Sequence, residues 1–341
     1  LYEWHMMSKK RSYYIGGFIF ILISFYTVFL LRNYDRYTNI LDPGLTFFLI
    51  VTFLFSCSKS DEQIITINDE PWTTKSFTLE FEGLNREYVL HKPKNFKENS
   101  PLVFVLHGFG SSATTIMSYT QMNLISDQNG FLVCYPQGTT LLTGQTHWNA
   151  NLEMSSINDI GFLSKLSTEI QSEYKTNPEN TFVSGMSNGG FMSYTLGCNR
   201  SDIFKAIASV TGTMSGKDWN NCSPINNIPI LQISGTDDKT VPWDGTMSTS
   251  YGWGGAPHIK KVVEFWGDLN QCNQIEKIDF PDIDDTDQST VSLTKRKGSP
   301  SGNEIWFYTV TGGGHDWPGS WGNRDISASQ EIWKFFEKHL K

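Results

Sequence analysis

Nothing in the 341 residues fits a nucleotide or metal cofactor. There is no Gly-x-Gly-x-x-Gly turn and no P-loop, the glycine-rich devices that present backbone N–H groups to phosphates. No two cysteines stand at zinc-ligand spacing with histidines. The acidic run Asp282-Ile283-Asp284-Asp285-Thr286-Asp287 lacks the glycine at its sixth position and the glutamate at its twelfth that an EF-hand loop needs, so it reads as a solvated loop. Positive charge is short as well. The net charge is -8, and no basic stripe with interleaved aromatics occurs outside the first few dozen residues. An acidic surface repels phosphates, which excludes nucleic acid as a partner. No internal repeat is present. Cysteine is sparse at five, which fits an oxidising compartment without requiring one.

The chain is rich where a large core needs it, with 39% hydrophobic and 14% aromatic residues, and one large α/β domain is expected rather than two small ones. Its beginning is set apart. Lys9-Lys10-Arg11 leads into an apolar run over 15–31, about the shortest that spans a bilayer, and a second run over 45–55 ends in Leu54-Phe55-Ser56-Cys57. A small residue before a cysteine resembles a bacterial lipobox, with Phe55 an imperfect fit, and makes Cys57 the expected lipidation site. A retained membrane anchor is the alternative, and either way the remainder lies outside the cytoplasm, secreted or tethered at the cell envelope. The expected organisation is therefore an apolar region over 1–57, a polar linker over 58–72 and a catalytic domain over 73–341.

From Lys75 onward strand and helix patterns alternate. A hairpin at Ser76–Phe81 and Glu87–His91 precedes the continuous apolar run 101–106, of the kind buried on both faces of a sheet. A helix over 113–127, the strand Phe131–Tyr135 and a helix capped by Asn158 and running to Tyr174 follow, and the alternation continues to a C-terminal helix over 326–340. This rhythm indicates a doubly wound, mostly parallel sheet with flanking helices. Cys198 and Cys222 flank the strand region 204–210 and are the expected disulfide. Cys134, in an apolar strand, is expected as a buried free thiol and Cys272 as a single cysteine.

Gly185-Met186-Ser187-Asn188-Gly189 fits Gly-x-Ser-x-Gly at the junction of the strand Thr181–Ser184 and a following helix, which would put Ser187 on a nucleophile elbow. Such a serine needs a carboxylate and then a histidine later in the chain. Of His258, His315 and His339, the first reads as a helix start and the last as part of the solvated face of the C-terminal helix. His315 instead occupies a flexible turn, Gly312-Gly313-Gly314-His315, after the strand Glu304–Val310. The acid lies after the strand Ile228–Ser234, where spacing allows Asp237 or Asp238. The turn His107-Gly108-Phe109-Gly110 offers the N–H of Phe109 to an oxyanion, with the N–H of Asn188 as second donor, and His107 would hold that turn by hydrogen bonds. Trp148, Trp243 and Trp317, with Trp253, sit in loops near these strand ends and are candidates to line an acyl or sugar site.

The motifs Leu106-His107-Gly108-Phe109-Gly110, Tyr135-Pro136-Gln137-Gly138, Asn158-Asp159-Ile160-Gly161-Phe162, Gly185-Met186-Ser187-Asn188-Gly189-Gly190, Gly235-Thr236-Asp237-Asp238 and Gly312-Gly313-Gly314-His315-Asp316-Trp317-Pro318-Gly319, in that order, resemble the polyhydroxybutyrate depolymerase and feruloyl esterase group of secreted α/β-hydrolases. The resemblance covers about 76–341. It implies an α/β-hydrolase fold, Ser187 as nucleophile, His315 as base and Asp238, rather than Asp237, as acid. It also implies ester hydrolysis with no metal or organic cofactor. Lys297-Gly298-Ser299-Pro300 lacks the further cysteine common in the group, which leaves Cys272 unpaired. The implied substrates are feruloyl or acetyl esters of plant polysaccharides, alternatively short-chain polyhydroxyalkanoates. A catalytically silent binding protein is the reading from another class.

Overall fold

The computed structural model describes residues 73–341. The apolar region over 1–57, Cys57 and the linker over 58–72 lie outside the described residues. Within them no helix is long and apolar enough to cross a membrane.

Twelve strands are present in chain order among the described residues: β1 (Thr74–Phe81), β2 (Leu84–His91), β3 (Leu102–Leu106), β4 (Leu132–Pro136), β5 (Thr139–Thr140), β6 (Thr146–His147), β7 (Thr181–Met186), β8 (Ala206–Val210), β9 (Ile230–Gly235), β10 (Gln274–Asp279), β11 (Thr290–Lys297) and β12 (Ile305–Thr311). Ten of them make one sheet in the order β1-β2-β4-β3-β7-β8-β9-β12-β11-β10, and β5 pairs only with β6. From β4 through β12 the central strands are parallel. The hairpin β1–β2 closes one edge antiparallel, and β11 and β10 close the other. The alternation of strand and helix expected to the chain's end thus stops after the helix Ile259–Leu269, where three strands follow in succession.

Strand β3 shows why an unbroken apolar run belongs in the middle of this sheet. Leu102, Phe104 and Leu106 enter one core, with the helices Asp159–Tyr174, Asn188–Asn199 and Ile259–Leu269. Val103 and Val105 enter the other, with the helices Ala113–Thr120, Met122–Asn129 and Ala328–Lys338. A strand feeding two cores has no polar face to spare.

The single helix expected over 113–127 is broken at Gln121, which turns left-handed at φ 49°. A continuous helix would offer the Thr120 carbonyl to Leu124. Here that carbonyl accepts from the Ser329 hydroxyl at 2.6 Å, while the Leu124 N–H goes to Gln121 O. The C-terminal helix is shorter than expected, and His339 is not on a solvated face. Its ring meets Phe335 at 4.9 Å, its Nε2 is buried without a hydrogen-bond partner among the described residues, and burial lowers its pKa to about 4.

Candidate active site

The elbow depends on close backbone approach. A Cβ on Gly185 would lie 2.3 Å from the Gly189 carbonyl, and one on Gly189 would lie 2.3 Å from Leu106 O. Only glycine fits at either position. Between them Ser187 is forced to φ 52°, ψ -119°, a strained conformation for a residue with a side chain. Its N–H donates to Val210 O at 2.9 Å, and its carbonyl accepts from Phe191 N at 2.9 Å, opening the helix Asn188–Asn199.

His315 and Asp238 come together on neighbouring strand ends. His315 Nδ1 is 2.7 Å from Asp238 Oδ2. The other carboxylate oxygen, Oδ1, accepts from the N–H groups of Thr240 and Val241, both at 2.8 Å, so the carboxylate is fixed and buried. Asp237 is exposed, and among the described residues its carboxylate hydrogen-bonds its neighbour Thr236 at 3.3 Å and no other group. Of the two aspartates that spacing left open, the structure brings Asp238 to the histidine. The turn bearing His315 packs closely, since a Cβ on Gly235 would lie 2.2 Å from Gly313 O. Among the described residues Ser187 Oγ makes no hydrogen bond to His315. Contacts of this kind commonly tighten only when substrate is bound.

The turn after β3 lies against the serine: a Cβ on Gly108 would be 3.5 Å from Ser187 Cβ. Asn188 occupies the first position of its helix, where backbone N–H groups lack intrahelical acceptors. Its side chain has a second task that the motif does not reveal. Oδ1 accepts from the N–H of Trp148 at 2.7 Å, and Nδ2 donates to the carbonyl of Trp148 at 3.0 Å. The Trp148 indole in turn donates to His107 O at 3.0 Å. His107 Nε2 accepts from Gly138 N at 2.9 Å, which puts the Nδ1 proton towards Gly108 O at 2.8 Å. Gly110 N completes the frame by donating to Thr146 O at 2.8 Å. Burial lowers the His107 pKa to about 4 from 6.5, so the ring is neutral in the fold. The unfolded chain binds that proton below about 6.5 while the folded one resists it, so stability falls as pH drops from 6.5 towards 4.

Asn188→Ala would leave the buried N–H and C=O of Trp148 unpaired. A loss of about 2–6 kcal/mol is expected, at roughly 1–3 kcal/mol for each of the two orphaned groups, and thermal denaturation reads it directly. An unchanged melting temperature would show that water replaces the amide.

The tryptophans need correction. Trp148 is fully buried and belongs to the frame just described. Trp317 is buried in the core on the helix side of Ala328–Lys338, donating to Ser329 Oγ at 3.1 Å. Neither is free to meet a ligand. Trp243 is half-buried, stacked on Phe307 at 5.4 Å and edge-on to His258 at 5.3 Å. Trp253 is the one placed beside the site, with its ring 6.1 Å from that of Phe109 and 5.1 Å from that of Phe191, each in edge contact. Asp316, next to His315, is a further half-buried carboxyl that the sequence did not single out. Burial pushes its pKa up to about 6. Cys198 and Cys222 are bonded, tying the end of the helix Asn188–Asn199 to that of Gly216–Asn221. Cys134 is buried and free, and Cys272 is free. Among the described residues no group of acidic, histidine or cysteine side chains could hold a metal ion.

A large, mostly parallel sheet with helices on both faces and a strained serine at a central strand end defines an α/β-hydrolase, and its class is that of the carboxylic ester hydrolases. Residues 87–251 match the family model described as esterase PHB depolymerase. The chain is 26% identical over 266 residues to the putative esterase NocK of Nocardia uniformis subsp. tsuyamanensis, covering 72% of this chain and 75% of that one. It is 30% identical over 163 residues to the probable feruloyl esterase C of Aspergillus niger, covering 47% of this chain and 57% of the relative's length. The match therefore spans little more than half of that relative. The acetyl xylan esterase from Aspergillus awamori superposes with a TM-score of 0.55 at 15% identity, over 77% of this chain and 99% of that one, a likeness of fold. Over these stretches the chain is similar to the polyhydroxybutyrate depolymerase and feruloyl esterase group.

Proposed function

We propose that this protein is an extracytoplasmic serine esterase that removes feruloyl or acetyl groups from plant polysaccharides by two-step acyl transfer. The observation that carries the chemistry is the hydrogen bond of 2.7 Å between His315 Nδ1 and Asp238, after β12 and β9, parallel strands of the same sheet whose β7 leads into the strained Ser187. His315 Nε2 takes the proton of the Ser187 hydroxyl as its oxygen attacks the ester carbonyl carbon. The N–H groups of Phe109 and Asn188 receive the negative charge that develops on the carbonyl oxygen. Asp238 stabilises the imidazolium, which then protonates the departing alcohol. Water, giving its proton to the same histidine, attacks the acyl-serine, and collapse of the second intermediate returns the proton to Ser187 and frees the acid.

The substrate class rests on the relative named as a feruloyl esterase and on the aromatic side chains Phe109 and Trp253 beside the serine. The location rests on the disulfide between Cys198 and Cys222, a bond that persists in oxidising compartments. The sequence reading of Cys57 as a lipidated residue supplies the accompanying proposal for attachment to a membrane. Polyhydroxyalkanoate oligomers are the second substrate class, favoured by the matching family model.

The test is the rate of acid release from methyl ferulate, acetylated xylan and a soluble hydroxybutyrate oligomer, with the full chain. Release from either of the first two is expected to exceed release from the oligomer. The reverse order would move the enzyme to polyester turnover, and no release from any of the three would leave a binding protein.

A further inference from the structure

The loop after β12 carries, directly beside His315, a carboxyl that the two-step mechanism does not use. Asp316 is half-buried, and its side chain is seated on the far end of its own loop, where a Cβ on Gly322 would overlap the carboxylate. Glycine is needed there twice over, because its φ is 76°. A Cβ on Gly314, the residue before His315, would lie 3.8 Å from the same oxygen, Oδ2. The carboxylate therefore bridges the two ends of the segment that presents the histidine. Backbone bonds hold that segment in place: Gly319 N donates to Asn323 O at 2.7 Å, Ala328 N to Pro318 O at 2.9 Å and Arg324 N to Asp287 Oδ2 at 2.9 Å.

Titratable groups face this carboxyl from every side. His315 on its own segment attracts it, while Asp238 after β9 and Asp287 in the turn before β11 repel it. From the helix Ala113–Thr120 comes the Tyr119 phenol, whose pKa is raised by burial and by the Asp316 charge. Burial raises the Asp316 carboxyl itself from 3.8 to about 6, with His315 and the Gly314 N–H drawing it down against the two aspartates. The fold resists this ionisation and the unfolded chain does not, so stability is lost as pH rises from 3.8 towards 6. Carboxyls that destabilise the fold and sit beside a catalytic base belong, as a rule, to the working site. The attraction to His315 is mutual, and an ionised Asp316 favours the imidazolium.

We infer that Asp316 is a positioning residue of the esterase: from its seat on Gly322 it holds the His315 turn and sets a second negative charge beside the imidazolium that forms whenever Ser187 or water gives up its proton. This rests on the esterase reading given above and adds to it a group outside the triad. The two aspartates divide the work. Asp238 fixes the ring through its hydrogen bond to Nδ1, whereas Asp316 makes no hydrogen bond to the ring among the described residues and acts through space. Its charge raises the basicity of the histidine, and with it the pH below which the enzyme falls silent.

The test records kcat/KM against pH for the full chain, wild type and Asp316→Asn, on the ester that wild type hydrolyses fastest. Asparagine keeps the shape of the side chain and deletes its charge. Its plateau is expected about 3–10-fold below wild type, and the midpoint of its acid limb about half a unit to one unit lower, since one unit of basicity is worth tenfold. Asp237→Asn makes the same charge change on an exposed residue of the adjoining loop, where solvent screens it, and should leave the midpoint in place. Above pH 6 the melting temperature of Asp316→Asn should match or exceed that of wild type, because an amide never ionises. Asp316→Ala repeats the pH comparison should asparagine fail to fold. An acid limb that stays put in the variant that folds overturns the inference, as does an equal shift in Asp237→Asn. A lower melting temperature with an unmoved limb would make Asp316 a structural seat and nothing more. The two readings fail differently: Ser187-dependent hydrolysis with an unmoved limb sinks the role of Asp316 alone, whereas no Ser187-dependent hydrolysis of any ester sinks both.

Discussion

Ser187→Ala is expected to lower kcat on the protein's best ester by about 10⁶-fold, the scale seen when a hydrolase nucleophile is deleted, and to leave the fold intact. The hydroxyl accounts for the loss. Without it no acyl-enzyme can form, and what remains is the roughly 10³–10⁴-fold over water that binding and oxyanion donors can supply alone. The stability side of the experiment is as informative. Ser187 holds φ 52°, ψ -119° because Gly185 and Gly189 leave the turn no other path. Alanine inherits the same clash, so its melting temperature should match wild type. Ser187→Gly removes the clash and should raise stability by about 1–3 kcal/mol while abolishing activity equally. A serine whose strain serves catalysis gives this opposed pair of results. Retention of more than a few per cent of the rate in Ser187→Ala, with substrate freshly purified, would mean that another residue attacks the ester.

The parts of the molecule legible in the sequence are those fixed by local chemistry. The alternate side chains of Leu102–Leu106 are apolar because both faces of the sheet bury them, and the glycines around Ser187 are required by approaches of 2.3 Å. What escaped depends on partners far along the chain. Gln121 carries no breaker signal, and the helix ends there because Ser329 takes the Thr120 carbonyl. Trp148 and Trp317 stand in segments that look like loops. The first is drawn inward by Asn188 and by its neighbour Asn149, whose N–H donates to Asp159 at 2.7 Å, and the second by Ser329. Trp253, eleven residues beyond Pro242, reaches Phe109 only because its loop is folded back, with Gly254 N on Ser248 O and Glu153 N on Tyr251 O. Period and composition carry no information about such tertiary bonds.

Asp238→Asn is expected to lower kcat/KM by about 10⁴-fold, and Asp237→Asn by no more than a few-fold. The geometry dictates how the first substitution fails. Asp238 Oδ1 accepts two backbone N–H groups, from Thr240 and Val241, so an asparagine must place its carbonyl oxygen there, since an NH₂ would face two donors. Its amide nitrogen then occupies the position of Oδ2, 2.7 Å from His315 Nδ1. A donor at that point holds Nδ1 unprotonated and leaves the proton on Nε2, the nitrogen that has to accept one from Ser187. The ring is thereby locked in the tautomer that cannot act as a base. Asp237 points into solvent and touches neither His315 nor its turn through its carboxylate, so its amide changes little. Both variants keep the shape of the side chain, and matching melting curves would confirm that the rates report chemistry. Steady-state kinetics on one ester at one pH decide the matter. A large loss in Asp237→Asn with near-normal activity in Asp238→Asn would remove Asp238 from the acid's role and require the loop 236–242 to rearrange when substrate binds.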